Sequence, residues 1–296
     1  MPETQSAPVS LKYRLEWLGV KFAFWFFRTL GRKRAANFGS WLARKIGPLM
    51  KVHKLARENI SNSLPEISEP EMDRTLDRMW DNLGRNIAEL PFNATLDFNA
   101  PDVEVVGREI LDNDLKTGRP AFILTGHYGP WELIAHAGSY LDCPNTIVYR
   151  SANNPLVEEY FQAQRSSSDQ NTFLPKGIKG AKGILRAIKK GEIVTLLNDQ
   201  KQNTGLSVPF FGREAMTAPN VAELACKFNM PIYPMRAERL ENGKIRVTVS
   251  EAILPPASGD RKKDVFDLLL TINGIYEDWI RKRPDHWFWV HNRWPR

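Results

Sequence analysis

Cysteine is almost missing from these 296 residues: only Cys143 and Cys226 occur. That excludes a disulfide framework and a cysteine-based zinc ribbon, and it fits a reducing compartment. Histidine is sparse too, with five residues. The nearest approach to a metal pattern, Glu132 and His136 four apart with His127 close by, lacks further ligands at the usual spacings, so no metal is expected. No serine or cysteine stands in a Gly-x-Ser-x-Gly turn, which argues against an acyl-enzyme nucleophile of that type. Internal repeats and low-complexity tracts are absent. No apolar run reaches the ~20 residues that a bilayer span requires. The densest, Trp17 to Phe27, contains Lys21 and is followed by no small-residue cleavage site, so a secretory signal peptide is not expected either.

What the chain does have is basic charge and aromatics. A formal +7 and 42% hydrophobic content describe a protein with a large core and an appetite for anionic company: nucleic acid, phospholipid head groups, or a phosphorylated or acidic-protein substrate. Leu11 to Leu30 is flanked by Arg14, Arg28 and the cluster Arg32, Lys33, Arg34. Aromatic rings with snorkelling lysine suit a membrane interface, although an aromatic core helix has the same composition. Up to Pro91 the periodicity is helical, with helices expected at Leu11 to Leu30, Ala35 to Ile46, Val52 to Ser61 and Glu69 to Leu90. After Pro91 short apolar runs alternate with helical patterns, the rhythm of βαβ units. Strands are expected at Val103 to Val106, Ala121 to Thr125, Thr146 to Tyr149, Ile193 to Asn198, Pro231 to Ala237 and Lys244 to Ser250. Intervening helices are expected at Ile110 to Lys116, Pro130 to Tyr140, Pro155 to Ser166, Ile178 to Lys190, Ala218 to Phe228 and Lys262 to Arg283. The chain therefore divides into a membrane-associating segment at 1–30, a helical annex at 31–91 and an α/β domain at 92–296. Residues 1–10 read as a loose terminus.

The most informative stretch is Gly126-His127-Tyr-Gly-Pro-Trp-Glu132, at a strand-to-helix corner. Inside one helix, five residues at ~100° each would put His127 and Glu132 on nearly opposite faces. The break at Gly126 to Pro130 removes that objection, so Glu132 is expected to reach back to one imidazole nitrogen and leave the other as a base. The alternative is a hydrogen-bonded turn histidine and a glutamate that complements a helix N-terminus. Ligands of open α/β sheets bind beyond the carboxyl ends of strands, and His127, Arg150 and Asp199 each follow an expected strand. Arg150 could stabilise developing negative charge, and Asn154 precedes a helix start. Residues 197–213 read as a long polar loop, and Lys176, Lys179, Lys182, Lys189 and Lys190 as a basic face that is solvated or docks phosphate or an acidic protein. The aromatic run Pro284 to Trp294 reads as core, with single-stranded nucleic-acid stacking or a lipid-interface contact as competing uses.

Taken in order, these blocks resemble the lipid A biosynthesis acyltransferases, late acyltransferases within the lysophospholipid acyltransferase superfamily. The His127-x4-Glu132 element is similar to that family's His-x4-Asp/Glu motif, with Pro130 where the family commonly has Asn. Tyr149-Arg150 through Asn154-Pro155, then Asp199-Gln200 with Val208-Pro-Phe-Phe211-Gly212 and Thr217, then Pro231 to Pro234, then Pro284 to Arg293 complete the series. The resemblance implies an α/β fold with a mixed central sheet flanked by helices, as in glycerolipid acyltransferases, and an N-terminal helical membrane-associating annex. It implies transfer of a fatty acyl chain from an acyl carrier protein thioester to a hydroxyl of a Kdo-lipid A precursor at the cytoplasmic face of the cell inner membrane. No cofactor and no nucleic acid are called for. His127 would be the base and Glu132 its orienting partner, with Arg150, Asn154, Asp199, Gln200, Phe211 and Gly212 placed for substrate binding. Acceptors such as a lysophospholipid, an aminoacyl lipid or a glycolipid mannoside, or water in a hydrolase, are equally compatible with the dyad.

Overall fold

The computed structural model describes residues 10–136, 140–165 and 170–294. The loose terminus expected at 1–10 lies, apart from Ser10, outside them, as do residues 137–139 of the helix expected from Pro130 and Ser166 at the end of another. Four helices come first: α1 Leu11–Leu30, α2 Arg32–Ile46, α3 Lys51–Ser63 and α4 Glu69–Asn93. Ser10 starts α1 by accepting a hydrogen bond from Tyr13 N, and Gly31, at φ 74°, separates α1 from α2 in a conformation that an L side chain rarely takes.

The rest is α/β. Strands β1 Val103–Val106, β2 Ala121–Thr125, β3 Asn145–Tyr149, β4 Asn171–Pro175, β5 Ile193–Leu197, β8 Ile232–Arg239 and β9 Ile245–Val249 form a seven-stranded sheet in the order β1-β9-β8-β2-β5-β3-β4. It is mixed: β8 and β9 pair antiparallel and the other neighbours run parallel. Between the strands lie α5 Arg108–Thr117, α6 Pro155–Arg165, α7 Ile178–Lys189 and α8 Asn220–Phe228, and α9 Arg261–Lys282 follows the last strand. Every residue of β2 is buried, and its side chains alternate between two cores. Phe122 and Leu124 join a cluster with Leu76 of α4 and Leu268 of α9, whereas Ala121 and Ile123 join one with Leu111 of α5 and Leu133. A strand covered on both faces reads as a continuous apolar run, which is what Ala121 to Thr125 is.

Two parts of the sequence reading are corrected. The stretch 197–213 is not a polar loop: from Lys201 it is strand, and β6 Lys201–Phe210 and β7 Arg213–Thr217 form a separate antiparallel hairpin. Its buried residues alternate (Val208 and Phe210 on β6, Ala215 and Thr217 on β7), and Phe211 and Gly212 both take positive φ, as a tight two-residue turn demands. The segment after Pro130 is a 3-10 turn over Trp131–His136 instead of the start of an α-helix.

The helical layer is held by a close crossing of α2 on α4. A Cβ on Gly39 would fall 2.3 Å from Gly84 O, and one on Gly84 would fall 2.2 Å from Gly39 O. Because the obstacle is backbone on both sides, no rotamer change relieves it. Gly84→Ala is therefore expected to cost about 1–3 kcal/mol or more and lower the calorimetric Tm by several degrees. Gly19→Ala, where nothing lies within 4 Å, is the matched control and should leave Tm unchanged or slightly raised.

Candidate active site

The site begins with sheet register. β2 and β5 are parallel neighbours with Thr125 opposite Leu197, so the chains leave the sheet side by side and His127 and Asp199, two residues further on each, meet. Gly126 makes the approach possible, because a Cβ there would already stand 3.2 Å from the Asp199 carboxylate. Asp199 is 2% exposed and its carboxylate accepts three hydrogen bonds. His127 N donates to Oδ2 at 2.8 Å, the Trp287 indole Nε1 donates to Oδ2 at 2.9 Å, and His127 Nδ1 lies 2.8 Å from Oδ1. Burial alone would raise its pKa, but the charge and hydrogen bonds of His127, with the Trp287 bond, outweigh it and hold the group down to about 2.

An ionised carboxylate only accepts, so Nδ1 is the donor and the lone pair of a neutral imidazole is on Nε2. Nε2 faces the amide Nε2 of Gln200 at 3.2 Å. The ring packs against both Trp131 and Phe288, with centroids 5.3 and 5.8 Å away, and those two rings meet each other at 5.9 Å. Its backbone is held as well: Phe288 N donates to His127 O at 3.1 Å. The arrangement can take a proton at Nε2 from a hydroxyl that replaces the Gln200 amide.

Glu132 does not hold the imidazole as expected. Its Oε1 accepts the indole N–H of Trp131 at 3.2 Å, and the Trp131 ring packs on His127, so the carboxylate and the imidazole are linked through that tryptophan. The physical reason lies in the corner itself. Gly129, at φ 55°, bends the chain, its N–H donates to His286 O and its carbonyl accepts from Asn86 Nδ2 at 2.6 Å. A 3-10 turn starts from that pinned point. Glu132 then lines a cleft of ≈ 310 Å³ whose other walls are Phe24 and Arg28 of α1, Pro91 of α4, Phe161 and Arg165 of α6, and His136.

The remaining expected site residues separate into two groups. Gln200 is on the imidazole. Arg150 follows β3, next to β5 in the sheet, and is exposed at the rim, where its guanidinium donates to Asn153 Oδ1 at 3.2 Å. Asn154 is buried and ties elements together: its amide donates to Tyr13 O at 2.8 Å and Glu16 Oε2 at 3.0 Å on α1, and its oxygen accepts from Leu156 N at the start of α6. Phe211 and Gly212 form the hairpin turn, and Phe211 N donates to Glu277 of α9 at 2.6 Å.

Sequence reasoning missed how much the segment after Pro284 contributes. Besides Trp287 and Phe288, His291 Nε2 accepts from Lys201 N at 2.9 Å, next to Gln200. Arg293 is fully buried and donates to Met216 O at 2.8 Å and Thr217 Oγ1 at 2.7 Å. Burial lowers its pKa to about 10, although Asp199 acts to raise it. The signal was the dense Trp-Phe-Trp run itself, which was read as core without its hydrogen-bonding N–H groups.

An imidazole on a buried carboxylate at the carboxyl edge of a mixed sheet has the geometry of a general base. The chain belongs to the bacterial lipid A biosynthesis acyltransferase family, whose model matches residues 1–296. It is 25% identical to the lipid A biosynthesis lauroyltransferase of Escherichia coli (strain K12), over 99% of this chain and 95% of that protein. It is 22% identical to the lipid A biosynthesis palmitoleoyltransferase of the same organism and to a lipid A biosynthesis acyltransferase of Shigella flexneri, each over 95% of this chain and 91% of theirs.

The cleft also sets a pH dependence. Burial, helped by the charge of Arg165, lowers the pKa of His136 to about 4. As pH falls below ~6.5 the unfolded chain takes up a proton that the folded chain refuses, so stability decreases progressively from pH 6.5 to pH 4. Urea denaturation between pH 7 and 4.5 is expected to show this loss, on the order of 2–3 kcal/mol from this group, and His136→Phe should flatten the profile.

Proposed function

We propose that this protein transfers a fatty acyl chain from an acyl carrier protein thioester to a hydroxyl of a Kdo-lipid A precursor, at the cytoplasmic face of the cell inner membrane. The observation that carries the mechanism is the buried Asp199 carboxylate fixing Nδ1–H of His127, which leaves Nε2 as the base. The acceptor hydroxyl displaces the Gln200 amide, gives its proton to Nε2, and its oxygen forms a C–O bond to the thioester carbonyl carbon. The tetrahedral oxyanion then collapses, the C–S bond breaks, and the imidazolium gives its proton to the departing sulfur, so the carrier leaves as a thiol and Nε2 is neutral again. Asp199 stabilises that imidazolium, as a carboxylate does in a Ser-His-Asp triad. Arg150 at the rim and the freed Gln200 amide are the donors assigned to the oxyanion. Glu132 lines the cleft beside the imidazole and acts on it through Trp131. Direct transfer fits the lack of a serine or cysteine at the imidazole among the described contacts.

Transfer from a labelled acyl carrier protein thioester to a Kdo-lipid A precursor in detergent tests the reading. His127→Ala is expected to abolish transfer while retaining the wild-type melting profile, and turnover near wild type would sink the mechanism. Asp199→Asn, whose amide presents a donor to Nδ1 and so favours the wrong tautomer, should lower kcat by roughly 10³–10⁴. Glu132→Ala should leave a small residue of activity. If the wild type ignores this acceptor but acylates another membrane lipid, the acceptor assignment falls and the base remains.

A further inference from the structure

The apolar side chains that α1 leaves in solvent are ordered. Leu11, Leu15, Leu18, Phe22 and Trp25 are all exposed and follow a 4-3-4-3 spacing, so at ~100° per residue they lie within about 40° of one line along the helix. The opposite side packs inward, where Phe24 meets Tyr160 and Phe161 of α6 with ring centroids 5.3 and 5.8 Å away. Arg14, Lys21 and Arg28, seven apart, run along one flank of the stripe. No described helix is long and apolar enough to cross a membrane.

The stripe does not end with α1. Ring contacts lead from Phe22 to Phe26 (6.4 Å), from Phe26 to Phe38 (5.3 Å) and from Phe38 to Trp41 (5.7 Å), so the exposed face passes onto α2. It continues through exposed Ile46 to the tip of a 3-10 turn, Gly47–Leu49, where Leu49 is 84% exposed with Met50 beside it. That tip is held in place: Gly47 sits so close under Trp80 that a Cβ there would fall 2.1 Å from the indole. Packing thus presents Leu49 outward on a seated turn. Residues 11–54 contain eleven basic side chains and one acidic, Glu16, so this stretch alone exceeds the +7 excess of the whole chain.

We propose that α1, α2 and the Gly47–Leu49 turn form one surface that lies in the plane of an anionic lipid leaflet, with Trp41 and Leu49 as an insertion point separate from α1. Apolar side chains with a basic flank, aromatics at the boundary and too little length to span are the features of an interfacial helix. The 4-3 spacing would also suit a helix seam between two copies. The face favours lipid because it spreads over two helices and a turn, and because a second copy would bring an equally basic flank against it. The proposal deepens the membrane-lipid reading of the acceptor and rests on it for its purpose, since Phe24 and Arg28 of α1 also wall the cleft that contains Glu132. A lipid chain would then enter sideways along α1.

The test uses the full-length protein without any substrate, in flotation with vesicles of phosphatidylcholine alone or mixed with phosphatidylglycerol. Wild type is expected to float with the anionic vesicles, less with the neutral ones, and less again as salt rises. Trp41→Ser/Leu49→Ser should retain its circular dichroism melt and lose roughly tenfold in partitioning. Partitioning of that variant equal to wild type would overturn the second insertion point. Concentration-dependent dimerisation in lipid-free sedimentation equilibrium, abolished by Leu18→Lys, would overturn the lipid assignment in favour of a second copy. Vesicle binding does not depend on catalysis, so either failure is separable from failure of the acyl-transfer reading.

Discussion

A carboxylate excluded from water is stable as an anion only if enough donors converge on it, and that requirement at Asp199 organises this molecule. Its three donors come from two places far apart in sequence: the backbone and ring of His127, and the indole of Trp287. Satisfying the anion therefore fixes the imidazole in one tautomer and one orientation, and in the same step seals the sheet edge with the segment after Pro284. Tyr276, whose hydroxyl donates to Thr125 O at 2.7 Å, braces the end of β2 from α9.

The N-terminal helices take part in that arrangement through polar contacts in the core. Asn59 of α3 donates to Trp289 O and His291 O, and Asn86 of α4 to Gly129 O. Arg239 joins β8 to α4 through Asn82, Asn86 and Glu89, and its N–H donates to His286 Nε2 at 3.1 Å. His286 in turn contacts Asp285, where burial would raise the carboxyl but hydrogen bonds from His286 and Arg283 hold it well below the usual range. These links border a second, larger cavity of ≈ 910 Å³ between α2, α4 and the turn joining β8 to β9, lined by ion pairs such as Arg32–Glu89. Arg283, Asp285 and His286 line it as well.

Much of this could be read in the sequence because burial leaves periodic traces. The six expected strands fall within a residue or two of β1, β2, β3, β5, β8 and β9, because β2 and β5 carry near-continuous apolar runs and β9 alternates buried with part-buried positions. The missed elements lack such traces: β4 opens with Asn171 and Thr172, ends at Pro175 and has no buried residue, and β6 opens with the polar run Lys201 to Gly205, paired only to β7. His127 was legible from its corner and Asp199 from its place after a strand, but their partnership was not. It depends on β5 lying next to β2 in the sheet, a strand order that local pattern does not encode. A Glu132 carboxylate on the imidazole requires an α-helical first turn, which the pinned Gly129 and the 3-10 geometry replace.

The contribution of Trp287 and Phe288 sets an order of events in the making of the enzyme. Asp199 and Trp287 are 88 residues apart, so the anion lacks its indole donor, and the ring its contact with Phe288, until residues 287 and 288 have docked. Contacts spanning such sequence distances close late in folding. Docking of that segment on the sheet thus completes the donors of the buried anion and fixes the ring that the proposed mechanism uses.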